Sequence, residues 1–153
     1  MVVELGHTNR QTGHFVAPST FFQLKAMVCE SVGPIPHEVS VPFHDSQVRG
    51  AALLIQTGWD KFWGTEDYWN PGPVLADHLI FRMLRSGVKV VGVDFPVAGR
   101  SSDTRLITSE RIPIVENLRD LHSLPRVGFR FSAVPLEASE EPIRIVHAFA
   151  DIK

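Results

Sequence analysis

Two short apolar runs frame the middle of the chain. Ala51–Ile55 stops at Thr57-Gly58-Trp59-Asp60, and Val88–Val93, interrupted by Lys89 and Gly92, stops at Asp94. Runs of this length, partly β-branched and bounded by Gly and Asp, suit strands buried on both faces. Between them Val74, Leu75, Leu79, Met83 and Leu84 recur at helical spacing, with Asp77, His78, Arg82 and Arg85 on the opposite side. That spacing predicts an amphipathic helix over Pro73–Ser86. Pro71 and Pro73 sit at its front, where a missing N–H costs nothing, and Gly87 can take a left-handed cap. A strand, a helix and a strand in this order predict two parallel strands joined by a right-handed crossover. The fold class is α/β.

Outside this unit the pattern is less regular. Val2–Phe22 begins as a strand and turns polar around His7–His14, while Gln23–Arg49 carries Pro34, Pro36 and Pro42, which favour extended connections. Ser101-Ser102-Asp103 offers a cap for a short helix over Thr104–Glu110. Ile112–Val115 is a third apolar run, ending at Glu116-Asn117, and Leu118–Pro125 reads as a helical turn. Phe129–Leu136 and Ile143–Ile152 read as strands, the first with alternation that leaves one face wet.

At 153 residues the chain, read as residues 1–153 of a single domain, is long enough to bury a core. A formal net charge of −2 and no basic stripe argue against a nucleic-acid partner. Cys29 is the only cysteine, which excludes an intrachain disulfide and suits a reducing compartment. The first residues lack a basic region and a long apolar stretch, so neither a signal peptide nor a membrane partner is expected, and a cytoplasmic location is.

Candidate chemistry collects in two places. His7, Arg10, His14 and several hydroxyls make the N-terminal segment the most site-like, with a plain polar loop as the alternative. Trp59, Phe62, Trp63, Tyr68 and Trp69 form an aromatic cluster that either walls a pocket for a flat ligand or packs over a strand end. Residues at the carboxyl ends of buried parallel strands have the better claim to face a ligand, which favours Trp59 and Asp94. His37 and His44, with no acids at ligand spacing, read as surface histidines.

Three stretches carry a resemblance. Leu53-Leu54-Ile55-Gln56-Thr57-Gly58-Trp59-Asp60-Lys61-Phe62-Trp63-Gly64-Thr65-Glu66, Val90–Pro96, and Ile112–Leu118 with Phe129–Leu136 after it together resemble the cyclase family that includes bacterial kynurenine formamidases and isatin hydrolases. The resemblance implies a swivelling β/β/α fold with a mixed sheet around the central βαβ unit. It also implies a homodimer or larger assembly and metal-dependent hydrolysis of small amides or lactams, with Zn or Mn as the ion. The family's motif, His-x-Gly-Thr-His-x-Asp-x-Pro-x-His, has its best counterpart in Arg10-Gln11-Thr12-Gly13-His14-Phe15-Val16-Ala17-Pro18-Ser19-Thr20. Arg10 then stands for the first ligand, Val16 for the aspartate and Thr20 for the proton-transfer histidine. His14 and, later, Glu116 keep ligand positions, and Thr104-Arg105 stands near the later histidine. The family also carries a segment ahead of this motif, and with little chain before Arg10 that segment is expected to be missing.

Positions 10, 14 and 16 share one face of an extended strand and could converge on one ion. An arginine cannot be deprotonated and brings positive charge to that face. Two surviving ligands fall short of the three a catalytic zinc takes from protein. His7 could stand in only if a bulge re-aims it, since seven residues along a strand turn it to the other face. The expectation is a cyclase-like domain that has lost the metal chemistry, binds no cofactor, and keeps a small-ligand pocket or a partner-binding role. Arg10, Trp59, Trp63 and Asp94 would line that pocket, and an Arg10–Glu116 ion pair would replace the ion, unless Arg10 reaches solvent. The alternative is an active arylformamidase-like hydrolase with a non-standard Zn or Mn site.

Overall fold

Four parallel strands form the centre of a curled mixed sheet, with the middle ones buried on both faces. The structure is a computed structural model; it describes residues 1–5, 21–31, 38–69, 72–97, 112–135 and 146–152, and the backbone of 14–15 and 143–144. The strands are β1 (Val2–Glu4), β2 (His14–Phe15), β3 (Phe21–Glu30), β4 (Glu38–Val39), β5 (Ala52–Gln56), β6 (Val74–Leu75), β7 (Val90–Val93), β8 (Ile114–Val115), β9 (Phe129–Pro135), β10 (Ile143–Arg144) and β11 (Val146–Ile152). The helices are α1 (Asp45–Val48) and α2 (Asp77–Ser86). The main sheet runs β1-β11-β9-β3-β5-β7-β8-β2-β10, and β4 pairs with β6 separately. Pairing is parallel from β3 through β5 and β7 to β8, and antiparallel toward both edges.

The apolar runs have a direct structural cause. Leu53 and Ile55 of β5, with Val91 and Val93 of β7, pack under Leu79, Ile80 and Met83 of α2. Ala52, Leu54 and Val90 face the opposite core, where β9, β11 and the segment after β8 bring Phe129, Phe131, Ala148, Leu118 and Leu121. A strand covered on both sides has no polar face to alternate with. Each fully buried aliphatic side chain here contributes ~1.5–3 kcal/mol.

The βαβ unit forms as expected, and Gly87 closes α2 at φ 80°. Its front differs: the helix starts at Asp77, because Val74 and Leu75 are taken by pairing with Glu38 and Val39. The larger difference is β3. The pattern assigns no strand within Gln23–Arg49, yet Phe21–Glu30 is a ten-residue strand paired to β5 and β9. A bulge between Phe21 and Leu24 explains the missing signal. Gln23 sits there at φ 58°, and its N–H donates to the Ser132 hydroxyl at 2.9 Å. The helical turn expected over Leu118–Pro125 is a 3-10 turn at Leu121–Ser123. The helix expected over Thr104–Glu110 lies outside the described residues.

Candidate functional site

The carboxyl ends of β5, β7 and β8 meet at one edge of the parallel sheet, and each releases a polar residue into the same neighbourhood. Asp94 comes directly after β7 and turns back onto the end of β5. Its Oδ2 accepts the N–H groups of Thr57 (2.9 Å) and Gly58 (2.8 Å), and its Oδ1 accepts the Thr57 hydroxyl at 2.5 Å. Gly58, at φ 84°, makes the turn that this arrangement needs. Burial pushes the Asp94 carboxyl up to about 6; the bonds from Thr57 and Gly58 pull it back, and nearby Asp60 adds a small upward push.

That anchored turn starts the aromatic segment. Trp59 is buried, and its Nε1–H donates to the Tyr68 carbonyl at 3.0 Å, closing a loop of two 3-10 turns, Trp59–Phe62 and Glu66–Trp69. Trp59 packs on Phe62 at 4.7 Å, Trp63 meets Tyr68 edge-on at 5.1 Å, and Trp69 lies 6.2 Å from Trp63. Such tilted and edge-on pairs add ~0.5–1.5 kcal/mol each beyond their buried area. The segment is therefore a self-packed aromatic platform at the strand ends.

From β8 come Glu116, Asn117 and Arg119. Glu116 is buried, and its Oε2 accepts the Val97 N–H at 2.9 Å. Asn117, held in the left-handed region at φ 63°, accepts the Tyr68 hydroxyl at 2.6 Å and brings its Nδ2 to 3.5 Å from Glu116 Oε1. The Tyr68–Asn117 bond therefore ties the aromatic platform to the glutamate strand. Arg119 lies over Trp63, its guanidinium carbon 5.1 Å from the ring centroid.

Of the residues singled out from the sequence, Trp59, Trp63, Asp94 and Glu116 are brought to this edge. The Asp94 carboxylate is spent on backbone and hydroxyl donors of Thr57 and Gly58. His7, Arg10, Val16 and Thr20 lie outside the described residues, as does the side chain of His14, so the Arg10–Glu116 pair does too. The backbone of β2 runs beside β8, with Phe15 opposite Ile114, two residues before Glu116. The family-motif strand and the glutamate strand are thus neighbours.

Asn117 and Arg119 escaped the sequence reading, which placed Tyr68 in the aromatic cluster but did not anticipate its hydroxyl bond to Asn117. The signal that marks Trp59 and Asp94, a position just past a buried strand, is carried equally by the Glu116-Asn117-Leu118-Arg119 stretch. A further group also escaped it: donor atoms of Asp60, Asp120 and His122 lie within 4.8 Å of one another. Asp60 Oδ2 already accepts the Asp120 N–H at 2.9 Å, and Asp120 and His122 are exposed. No helix among the described residues is long and apolar enough to cross a membrane.

The family described as "Putative cyclase" matches residues 11–99, more than half of the chain. An uncharacterised protein of Methanocaldococcus jannaschii is 32% identical over 131 residues, covering 71% of this chain and 69% of that protein. Among solved structures, an isatin hydrolase bound to the product analogue thioisatinate superposes with a TM-score of 0.66 at 18% identity, over 83% of this chain and 59% of its own. Isatin hydrolase A from Labrenzia aggregata, bound to benzyl benzoate, gives 0.65 at 17% identity, over 86% and 61%. A predicted metal-dependent hydrolase from Bacillus stearothermophilus gives 0.62 at 14%, over 84% and 63%. The chain therefore spans about three fifths of the length of these structures, and the likeness to them is one of fold. By family match and by its archaeal relative together, the chain belongs to the cyclase family.

Proposed function

We propose that this domain keeps the cyclase fold and a small-ligand pocket without the family's metal chemistry. The donor set carries the reading. The motif positions that should present three ligands and a proton carrier read Arg10, His14, Val16 and Thr20. A guanidinium and an isopropyl group have no lone pair to give, and a threonine hydroxyl does not titrate near neutral pH. His14 and Glu116 alone do not make the three-ligand set of a catalytic zinc. The residues present do not fit the family's ion, so no catalytic step is assigned to one.

The pocket side of the reading rests on the platform at the strand ends. Trp63 and Trp69 keep ring surface in reach of solvent, and Asp94 fixes the turn that presents them. The solved neighbours include isatin hydrolases bound to thioisatinate and to benzyl benzoate, which supports a flat aromatic ligand here as well. Exposed Phe22 and Phe81 support self-association as part of the same reading.

A second reading, a metal-dependent amide hydrolase with a non-standard site, is favoured by the Asp60–Asp120–His122 group. Turnover of a small aryl formamide by the purified protein, with and without added Zn²⁺ or Mn²⁺, separates the two. No turnover above buffer is expected, from a preparation whose mass by light scattering exceeds that of one chain. Metal-dependent turnover abolished by His122→Ala would establish the second reading instead.

A further inference from the structure

Asp60, Asp120 and His122 stand at none of the family-motif positions, yet two separate turns bring them together. Asp60 belongs to the 3-10 turn Trp59–Phe62 that opens the aromatic platform, whereas Asp120 and His122 belong to the turn after β8. That second turn is anchored: Leu121 is buried, and the Ser123 hydroxyl donates to the Asp120 carbonyl at 2.7 Å. The Asp120 N–H donates to Asp60 Oδ2 at 2.9 Å, which joins the two turns. Asp60 Oδ1 and the His122 ring have no hydrogen-bond partner among the described residues.

The charge of the group is not neutralised either. Each aspartate has a cation beside it in sequence, but neither forms an ion pair among the described residues. Lys61 Nζ lies 5.1 Å from the Phe62 ring centroid, and the Arg119 guanidinium lies over Trp63. Both cations are thus turned to aromatic rings. Two carboxylates and an imidazole remain, with donor atoms within 4.8 Å of one another. Ligands of a shared zinc lie about 3.4 Å apart in tetrahedral geometry, so rotation of the exposed Asp120 and His122 side chains closes the set. An imidazole in the set selects zinc or manganese over calcium, which takes oxygen ligands.

We propose that Asp60, Asp120 and His122 hold an exchangeable divalent transition-metal ion that clamps the first turn of the aromatic platform to the segment after β8. The site is separate from the family's ion position, so it stands whether or not that ion has been lost. Because two of its ligands are exposed, the ion leaves on dialysis. The test is isothermal titration of Zn²⁺ and Ca²⁺ into untagged, metal-free wild type, Asp60→Asn, His122→Ala, His14→Ala and Glu116→Gln, with urea unfolding in parallel. Wild type is expected to bind one Zn²⁺ per chain, with Ca²⁺ about tenfold or more weaker. Zinc should raise the urea midpoint, since an ion that binds the folded chain stabilises it. Asp60→Asn and His122→Ala should each weaken zinc by about tenfold or more and remove that rise. The asparagine can still accept the Asp120 N–H, so its metal-free midpoint should match wild type and separate ligand loss from a broken turn. His14→Ala and Glu116→Gln should leave zinc affinity within about twofold of wild type. Zinc bound equally by wild type, Asp60→Asn and His122→Ala, or not bound at about 1 mM, would overturn the clamp and leave the reading above intact. Calcium bound more tightly than zinc would overturn the transition-metal class. Zinc binding lost in His14→Ala or Glu116→Gln instead would overturn the clamp and the reading together.

Discussion

Asp94→Ala should lower the unfolding free energy by about 2–4 kcal/mol at pH 4.5, where Asp94→Asn should stay within about 1 kcal/mol of wild type. The alanine leaves the Thr57 and Gly58 N–H groups without their acceptor at the turn that starts the aromatic platform. Asparagine preserves the pattern, since its carbonyl can accept both N–H groups while its amide donates to the Thr57 hydroxyl. It mimics the protonated acid. The sign of the pH effect comes from the raised pKa of about 6 against the ordinary 3.8. The folded state holds the proton more tightly than the unfolded chain, so this stability is full below about pH 4 and lost as pH rises through about 6. Between pH 4 and 7 wild type should lose about 2–3 kcal/mol relative to Asp94→Asn, at ~1.4 kcal/mol per pKa unit. Parallel stability curves for the two proteins, in urea titrations across that range, would mean the carboxylate carries no burial penalty.

Gly92→Val should destabilise the fold by more than about 3 kcal/mol, and Gly92→Ala by about 1–3 kcal/mol, as overpacking in a filled core does. A Cβ at this position would lie 2.6 Å from Leu54 Cδ2 and 2.7 Å from Leu118 Cδ1. Both leucines are fully buried in the core opposite α2, so their methyl ends have little room to swing. The position matters for the site as well as for stability. Leu118 sits between Asn117 and Arg119, so Gly92 is what lets that segment approach β7 closely enough for Leu118 N–H to donate to the Val93 carbonyl at 2.9 Å. Adding Leu118→Ala to Gly92→Ala should restore part of the loss, because contacting sites couple. Strict additivity of the two losses in denaturant unfolding would show that the clash is absorbed elsewhere.

How much of this was legible in the sequence depended on whether the signal was local. β5 and β7 announce themselves, because a strand buried on both faces reads as an unbroken apolar run. The core face of α2 is equally plain from Leu79 and Met83. β3 was missed, since Gln23 at positive φ breaks the alternation and the strand's pairing with β5 and β9 is remote in sequence. The front of α2 was misplaced, at Pro73 instead of Asp77, for the same reason: only the β4 partner reveals that Val74 and Leu75 are extended. At the site, Trp59 and Asp94 stood out because each lies just past the carboxyl end of a buried parallel strand. Asn117 and Arg119 do so too, past the apolar run that becomes β8, but that position alone does not say that Asn117 meets Tyr68 or that Arg119 meets Trp63. The Asp60–Asp120–His122 group brings together residues 60 apart, which no spacing rule would join.

The central claim is that this cyclase-family domain has kept its fold while losing the family's ion. Elemental analysis of protein purified without chelator, from medium supplemented with zinc and manganese, tests it most directly. The expected result is far less than one equivalent of either metal per chain, unchanged by His14→Ala or Glu116→Gln. One tightly held equivalent of Zn or Mn, retained through dialysis and lost in either variant, would contradict it.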